Sequence, residues 1–555
     1  MCIFAAVTYI LKTMKKLFLC MIIVMTVLQV QAAPPLRGLL SMRLNDGTIV
    51  APTDLHQSVL LDGHICASEA VIGSGTYLPH KGSPRVLTIL AAFQDLGFTV
   101  NEPVRAFDQY LNGDKQEDLG NSNDMNMSSV RQYYEVSSQG QFSPQFDIVG
   151  PVILPKKMSY YGGSNSSGSD DKFGDFCRDA LAQVKDRVSD WSIYDNDNDG
   201  NVELVCVIFA GYGQNQGGGD STIWAKAASQ NLTVNNNYRI TRFNCSPELF
   251  NPSKGVDGKG NPYDYSQYIN GTGVFIHEMS HCMGLPDLYA TQSSAHVNNQ
   301  GMETWSIMDY GLYNRNGFAP VPYTAWEQEV MGWTEIENVR SKLVDGKWTV
   351  EDVMPLIEGG KAYKLQNPDN DRNYIVMENV QQRGLNKHAY GHGLLVYQVD
   401  YPYSSVNMSD HPNNNPGHPS VAVVPASGEL INAYLRGSGK PYTVNEWKAS
   451  IAASTFPGTR EVTSLTNEME LPNYCFYVNQ TVQPINFMLS GITENAETGA
   501  VSFLVAEDDP TGIATLNMEH GTFNDDAIYD LQGRRMGATL KPGIYIINGR
   551  KVVIK

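Results

Sequence analysis

The spacing of apolar residues changes along the chain, and each change predicts a different element. Residues 33 to about 80 are irregular and rich in turn formers, with no strong periodicity. GSPRVLTILAAFQD (82–95) then reads as a turn followed by a buried strand. Between 170 and 191, Phe173, Phe176, Cys177, Ala180, Leu181, Val184 and Val188 share one face of an amphipathic helix. VELVCVIFAG (202–211) is an unbroken apolar run between turn residues, which predicts a central strand covered on both faces. From about 345 the pattern switches to alternating segments such as YIVMENV and GLLVYQVD, with loops rich in Pro, Asn, Gly and Ser between them. AEDDPTG (506–512) reads as a linker, and Asn548-Gly549 between apolar runs predicts a hairpin near the end.

These textures predict an α+β chain in several units, as a length of 555 residues requires. A leader fills 1–32, a prosegment 33–81, a mixed twisted sheet with helices 82–345, a β-rich sandwich-like domain 346–507 and a small β module 512–555. The leader is read as a signal peptide: Lys12, Lys15 and Lys16 precede the apolar run LFLCMIIVMTVLQV, which ends at the small-residue site Val30-Gln31-Ala32. That run is shorter than the roughly 20 residues needed to span a bilayer. No later segment is apolar enough to cross a membrane, so the expected location is secreted or at the cell surface.

Composition narrows the partners. The formal net charge is −18, and losing the leader's lysines makes it more negative, which argues against nucleic acid as a ligand. Cys2 and Cys20 leave with the leader. Cys66, Cys177, Cys206, Cys245, Cys282 and Cys475 are scattered, without metal-type pair spacing, and allow one or two disulfides at most.

The chemistry concentrates in HEMSHCMGLPD (277–287). His277 and His281 are four residues apart, so on a helix they aim imidazoles at one point. Catalytic zinc takes three protein ligands and keeps an open position for water. Glu278 stands at the edge of that face, placed to accept a proton from the water. Gly284 lets the helix end in a left-handed turn and Pro286 stops it from continuing, so the chain can double back with Asp287 as third ligand. Two hydrogen-bonded core histidines are the competing reading. The intervening glutamate and the Gly and Asp at fixed positions weigh against it.

HEMSHCMGLPDLY resembles the extended zinc motif of metzincin peptidases, in the form whose third ligand is aspartate. TWSIMDYG (304–311) resembles their Met-turn; the resemblance implies an apolar floor at Met308 and an oxyanion-stabilising phenol at Tyr310. Among metzincins the chain is most similar to the immune inhibitor A family of secreted bacterial metallopeptidases. SSVRQYYEVSSQGQF (128–142), VLTILAAFQD, YDNDNDGNVELVCVIFAGYG (194–213), YIVMENVQQRG and GHGLLVYQVD carry that likeness over residues 82 to 505. Gln398 departs from it, standing where the family's strand has a histidine. The resemblance implies a metzincin-like catalytic domain, zinc as cofactor, protein or peptide substrates, and a β-rich domain behind it. The reading from a different class is an inert, protease-like adhesin that binds host protein or glycan.

A second cation site is expected in DNDNDGNVE (195–203). Asp195, Asp197 and Asp199 alternate before Gly200, as in the first half of an EF-hand loop. Cys206 stands where that loop has its bidentate glutamate, so Glu203 or a neighbouring loop must complete a structural calcium shell. A solvated acidic turn is the alternative. His388, His392, His411 and His418 read as surface residues of a loop-rich stretch, and Cys66 and Cys282 as buried or core cysteines. The tail IYDLQGRR…LKPGIYIINGRKVVIK resembles the sorting or anchoring tails of exported bacterial proteins, which implies export machinery as a partner; a plain β module stacked on its neighbour is the alternative.

Overall fold

The computed structural model describes residues 30–33, 77–118, 121–163, 170–235, 238–256, 261–295, 301–430, 443–478 and 481–508, and beyond them short strands between 513 and 554. The leader's lysines, Cys2, Cys20, most of the expected prosegment with Cys66, and the Asn548-Gly549 turn lie outside the described residues.

The first half is built on a mixed sheet of β1 (Val30–Ala32), β2 (Arg85–Ala92), β3 (Gln145–Ile153), β4 (Asn201–Val202), β5 (Val205–Tyr212), β6 (Lys226–Val234) and β7 (Tyr238–Leu249). Its spatial order is β1-β6-β7-β5-β2-β3, with β4 beside β7. Strands β3, β2, β5 and β7 run parallel, while β6 is antiparallel to β7 and β1 antiparallel to β6. Most of the run at 202–211 forms β5, flanked by β2 and β7 and buried from Val205 to Gly211, with only its last residue, Tyr212, partly exposed. A strand covered on both faces needs no alternation, which is why it reads as continuous.

The helices that matter for the site are α1 (Pro103–Asn112), α2 (Val130–Ser137), α3 (Phe173–Val184), α4 (Thr272–Cys282) and α5 (Ala325–Val330). All six apolar positions of α3 between Phe173 and Val184 are buried, in a core with Leu87, Ile89, Val205 and Val207 on one face of the sheet. The opposite face, with Val86, Leu90, Cys206 and Ile208, packs on α1, α2 and α4. The sheet is thus the middle of three layers.

Beyond residue 336, a five-stranded sheet runs in the order Glu337–Asn338, Tyr363–Asn367, Asn370–Val380, Gly393–Asp400, Val421–Val423. A three-stranded sheet pairs Lys347–Val353 with Val501–Glu507, and that strand with Phe487–Glu494. The two-residue period divides the labour: Ile375, Met377, Leu394 and Val396 face the three-stranded sheet, whereas Tyr374, Val376, Leu395 and Tyr397 join the core that surrounds α4. Apolar packing therefore continues without a break from α4 into the β-rich half. Helix α6 (Val444–Ala452) joins the same core through Ile451. At the end of the chain, Gly543–Ile547 and Arg550–Ile554 pair antiparallel, as a hairpin there requires. The five described cysteines, Cys177, Cys206, Cys245, Cys282 and Cys475, are free thiols. Among the described residues, no helix is long and apolar enough to cross a membrane.

Candidate metal centre

Every residue of α4 is buried, so this helix is apolar all round except for what the site requires. Gly271 caps it and offers no side chain. The missing acceptor comes from Asn126, whose Oδ1 takes the Thr272 amide at 3.0 Å, while Tyr110 donates to the Gly271 carbonyl at 3.1 Å. Gly273 is required by a close approach: a Cβ there would stand 1.9 Å from the Leu312 carbonyl oxygen.

The far end of α4 is a Schellman turn. Gly284 has φ of 105°, its amide donates to the His281 carbonyl at 2.8 Å, and the Leu285 amide donates to the Ser280 carbonyl at 3.1 Å. This turn does more than stop the helix. It brings the Leu285 carbonyl to 2.7 Å from His281 Nδ1. The Ile307 carbonyl lies 2.8 Å from His277 Nδ1. With both Nδ1 atoms committed as donors to carbonyls, both Nε2 atoms are left as acceptors, the form that binds a metal.

The two Nε2 atoms are 3.2 Å apart, and Asp287 Oδ1 lies 3.3 Å from that of His277 and 3.2 Å from that of His281. A tetrahedral ion with ligand bonds of about 2.0–2.1 Å holds its donor atoms about 3.3 Å apart, so the triangle has the size zinc demands. All three residues are buried, and Asp287 Oδ1 closes no hydrogen bond of good geometry. An orphaned buried carboxylate oxygen beside two imidazole acceptors fits a cation and little else. Burial alone would raise the Asp287 carboxyl; without a metal, protonated imidazoles of His281 and His277 outweigh it and hold it at about 2.

Glu278 is fully buried, and neither of its oxygens closes a hydrogen bond. Ala227, on β6, and Ala33 lie close to the carboxylate, and the Ala33 amide donates to the Ala225 carbonyl at 3.3 Å. Burial pushes this carboxyl up to about 8, against the opposing pull of His277. Met308 and Tyr310 are also buried. Tyr310 lies 6.2 Å from the ring of Tyr289 and 6.4 Å from that of Trp447 in α6. Ala33 is buried too, with its carbonyl accepting from Trp224 Nε1 at 2.9 Å, and β1 just before it pairs Gln31 with Ala227.

Residues 78–333 match the immune inhibitor A peptidase M6 catalytic domain. This match, over just under half of the chain, supports an immune inhibitor A-like peptidase domain in residues 78–333. The chain is similar to Pre-pro-metalloprotease PrtV of Vibrio cholerae serotype O1 (strain ATCC 39315 / El Tor Inaba N16961), with 29% identity over 338 residues, 53% of this chain and 34% of PrtV. It is similar to Immune inhibitor A of Bacillus thuringiensis subsp. alesti, with 26% identity over 253 residues, 40% of this chain and 33% of the relative. The chain spans about a third of the length of these relatives.

The immune inhibitor A segment ends before several groups that reach the centre. His411 sits within electrostatic range of Asp287 and His281, its Nδ1 buried and unpartnered, so it is no surface histidine. Asn413, two residues on, donates to the Leu288 carbonyl at 2.7 Å. His392 and His418 go elsewhere, pairing with Glu494 and Asp400, each at 2.8 Å. Gln398 is buried and donates to the Cys475 carbonyl at 2.9 Å. Inside the segment, the Tyr313 phenol lies in the field of Glu278 and accepts from Asn215 at 3.2 Å. His411, Trp447 and Tyr313 carry no local sequence signal that ties them to the zinc motif.

The second cluster also assembles: one carboxylate oxygen from each of Asp195, Asp197, Asp199 and Glu203 lies within 4.8 Å of the others. Asp195 and Glu203 are buried, Asp197 and Asp199 exposed. Here the carboxylates already have partners. Asp195 accepts from the amides of Asp199 and Gly200, both at 3.0 Å, and Asp199 from that of Asn201 at 2.8 Å. Glu203 accepts from Asn196, and burial nevertheless lifts it to about 7.

Proposed function

We propose that this protein is a secreted zinc endopeptidase. His277, His281 and Asp287 hold the ion, and Glu278 is the general base. The observation that carries the reading is the triangle of donor atoms 3.2–3.3 Å apart, beside a buried carboxylate with no hydrogen bond of its own. When bound, zinc polarises the scissile carbonyl and makes a water acidic enough to attack it near neutral pH. Glu278 takes the proton of the attacking water at a carboxylate oxygen and returns it to the leaving amine. Tyr310 donates a hydrogen bond to the oxyanion, and Met308 forms the floor. The substrates are proteins or peptides.

Three further assignments belong to this proposal. The prosegment covers the cleft until it is cut; in its support, Ala33 is buried near Glu278, with its amide donating to the Ala225 carbonyl at 3.3 Å. The loop from Asp195 to Glu203 binds a structural calcium ion that pins the start of β5, a reading supported by the convergence of four carboxylates. The module at 512–555 engages export machinery.

The deciding experiment is zinc analysis of the purified, processed protein together with digestion of denatured casein, with and without chelator. One zinc per chain and chelator-sensitive cleavage are expected. Protein that neither contains nor takes up zinc removes the proposal; zinc without cleavage favours the adhesin reading.

A further inference from the structure

We infer that Glu327 is a positioning residue for the metal centre, holding the turn Ser306–Met308 so that two successive carbonyls of that turn aim two of the metal ligands. The inference rests on the reading of His277, His281 and Asp287 as a metal site.

Glu327 lies on α5, fully buried, and is not itself a candidate ligand. Its two oxygens serve different elements. Oε1 accepts from Ser306 Oγ at 2.5 Å, and Ser306 Oγ in turn accepts from the Met308 amide at 2.9 Å, which also lies 3.4 Å from Oε1. Oε2 accepts from the Thr324 amide at 2.7 Å and the Thr324 hydroxyl at 2.9 Å, closing a capping box at the start of α5. Ile307 stands between the two residues that Oε1 grips, and its carbonyl fixes His277 Nδ1 at 2.8 Å. The next carbonyl, that of Met308, accepts from the Leu288 amide at 2.8 Å, directly after Asp287. A shift of this turn would therefore swing one imidazole ligand and the loop bearing the carboxylate ligand together. Helix α5 is itself anchored: the Ala325 amide donates to Glu378 and the Trp326 amide to the Tyr397 hydroxyl, both at 3.0 Å.

Capping does not account for burying this carboxylate. Thr443 and Glu446 make the same capping box on α6, where Glu446 is exposed to solvent and pays little for its charge. What a buried carboxylate adds is acceptance at both ends, which lets it satisfy donors from two elements at once. A glutamine accepts at one end only and must turn a donor towards the other.

The test separates the two oxygens, using the full processed protein. Zinc affinity is measured by chelator competition, the visible spectrum is recorded with cobalt in place of zinc, and thermal unfolding is followed for the metal-free protein. Glu327→Gln and Ser306→Ala, which disturb the Oε1 side, are expected to weaken zinc binding by about 10- to 100-fold and to alter the cobalt spectrum. Thr324→Ala disturbs only the Oε2 side and is expected to lower the unfolding temperature with zinc affinity and cobalt spectrum unchanged. Ser306→Ala keeps the test alive if Glu327→Gln does not fold. Wild-type zinc affinity in both Oε1-side variants overturns the inference, as does an equal loss in Thr324→Ala. A wild-type protein that binds no zinc refutes the metal site instead.

Discussion

At His277, His281 and Asp287 the donor atoms face one another inside the core, and the remaining atoms of both imidazoles are tied to main-chain carbonyls. In the loop 195–203 the carboxylates turn instead onto amides of their own loop, and two of the four acids are exposed. The first cluster is assembled by a local turn, is braced by the distant Ile307 and Met308 carbonyls, and leaves a buried carboxylate oxygen without a hydrogen bond. The second is organised by itself and is largely satisfied as it stands. Proximity of acidic or imidazole side chains is common to both. What differs is how much acceptor capacity is left open: Asp287 Oδ1 is without a hydrogen bond, whereas the loop carboxylates have only their remaining lone pairs to offer a cation.

That contrast sets the size of the expected effects. The largest is at Glu278. Glu278→Ala should keep its zinc and lose about 10²- to 10⁴-fold in turnover, read from cleavage of a denatured protein alongside metal analysis. Unchanged cleavage would remove it as the base. Asp287→Ala should raise the dissociation constant for zinc by more than about 100-fold, since losing a ligand exceeds losing a supporting group. Asp199→Ala should leave zinc affinity alone; if both variants lose zinc equally, the two clusters are not independent.

At the loop, Asp195→Ala should destabilise the fold by about 1–3 kcal/mol even without calcium, because the Asp199 and Gly200 amides lose their acceptor. Urea unfolding measures this, and a neutral result would show that the loop does not depend on its own acids. Glu203 gives the smallest effect and the most specific one. Burial first, opposed by Asn196, raises its carboxyl from 4.5 to about 7, so the folded chain holds the proton more tightly than the unfolded one. Its contribution to stability is therefore full below pH 4.5 and declines as pH climbs towards 7. Calcium should flatten that decline, and Asp197→Asn should abolish the flattening. A pH dependence of unfolding that calcium leaves unchanged would argue that the loop is a solvated acidic turn.

Much of this was legible in the chain. Helix α4 with its histidine pair, its glycine stop and the returning aspartate follow from local spacing, because an i, i+4 pair and a Schellman turn are set within a dozen residues. The central strand at Val205–Tyr212 and the face of α3 follow from periodicity in the same way. The capping signal at Thr324 and Glu327 is present in the sequence as well, but it announces only a helix start. Nothing local says that the second carboxylate oxygen reaches the turn Ser306–Met308.

The sequence by itself determined which residue types converge at the candidate metal centre: short-range geometry brings His277, Glu278, His281 and Asp287 together. Only the tertiary structure decided which nitrogen of His277 is free and how the loop after Asp287 is held. Only it brought His411 and Trp447 to the same centre from the β-rich half. Those features depend on contacts between segments tens to more than a hundred residues apart, and such contacts leave no periodic trace in the chain that makes them.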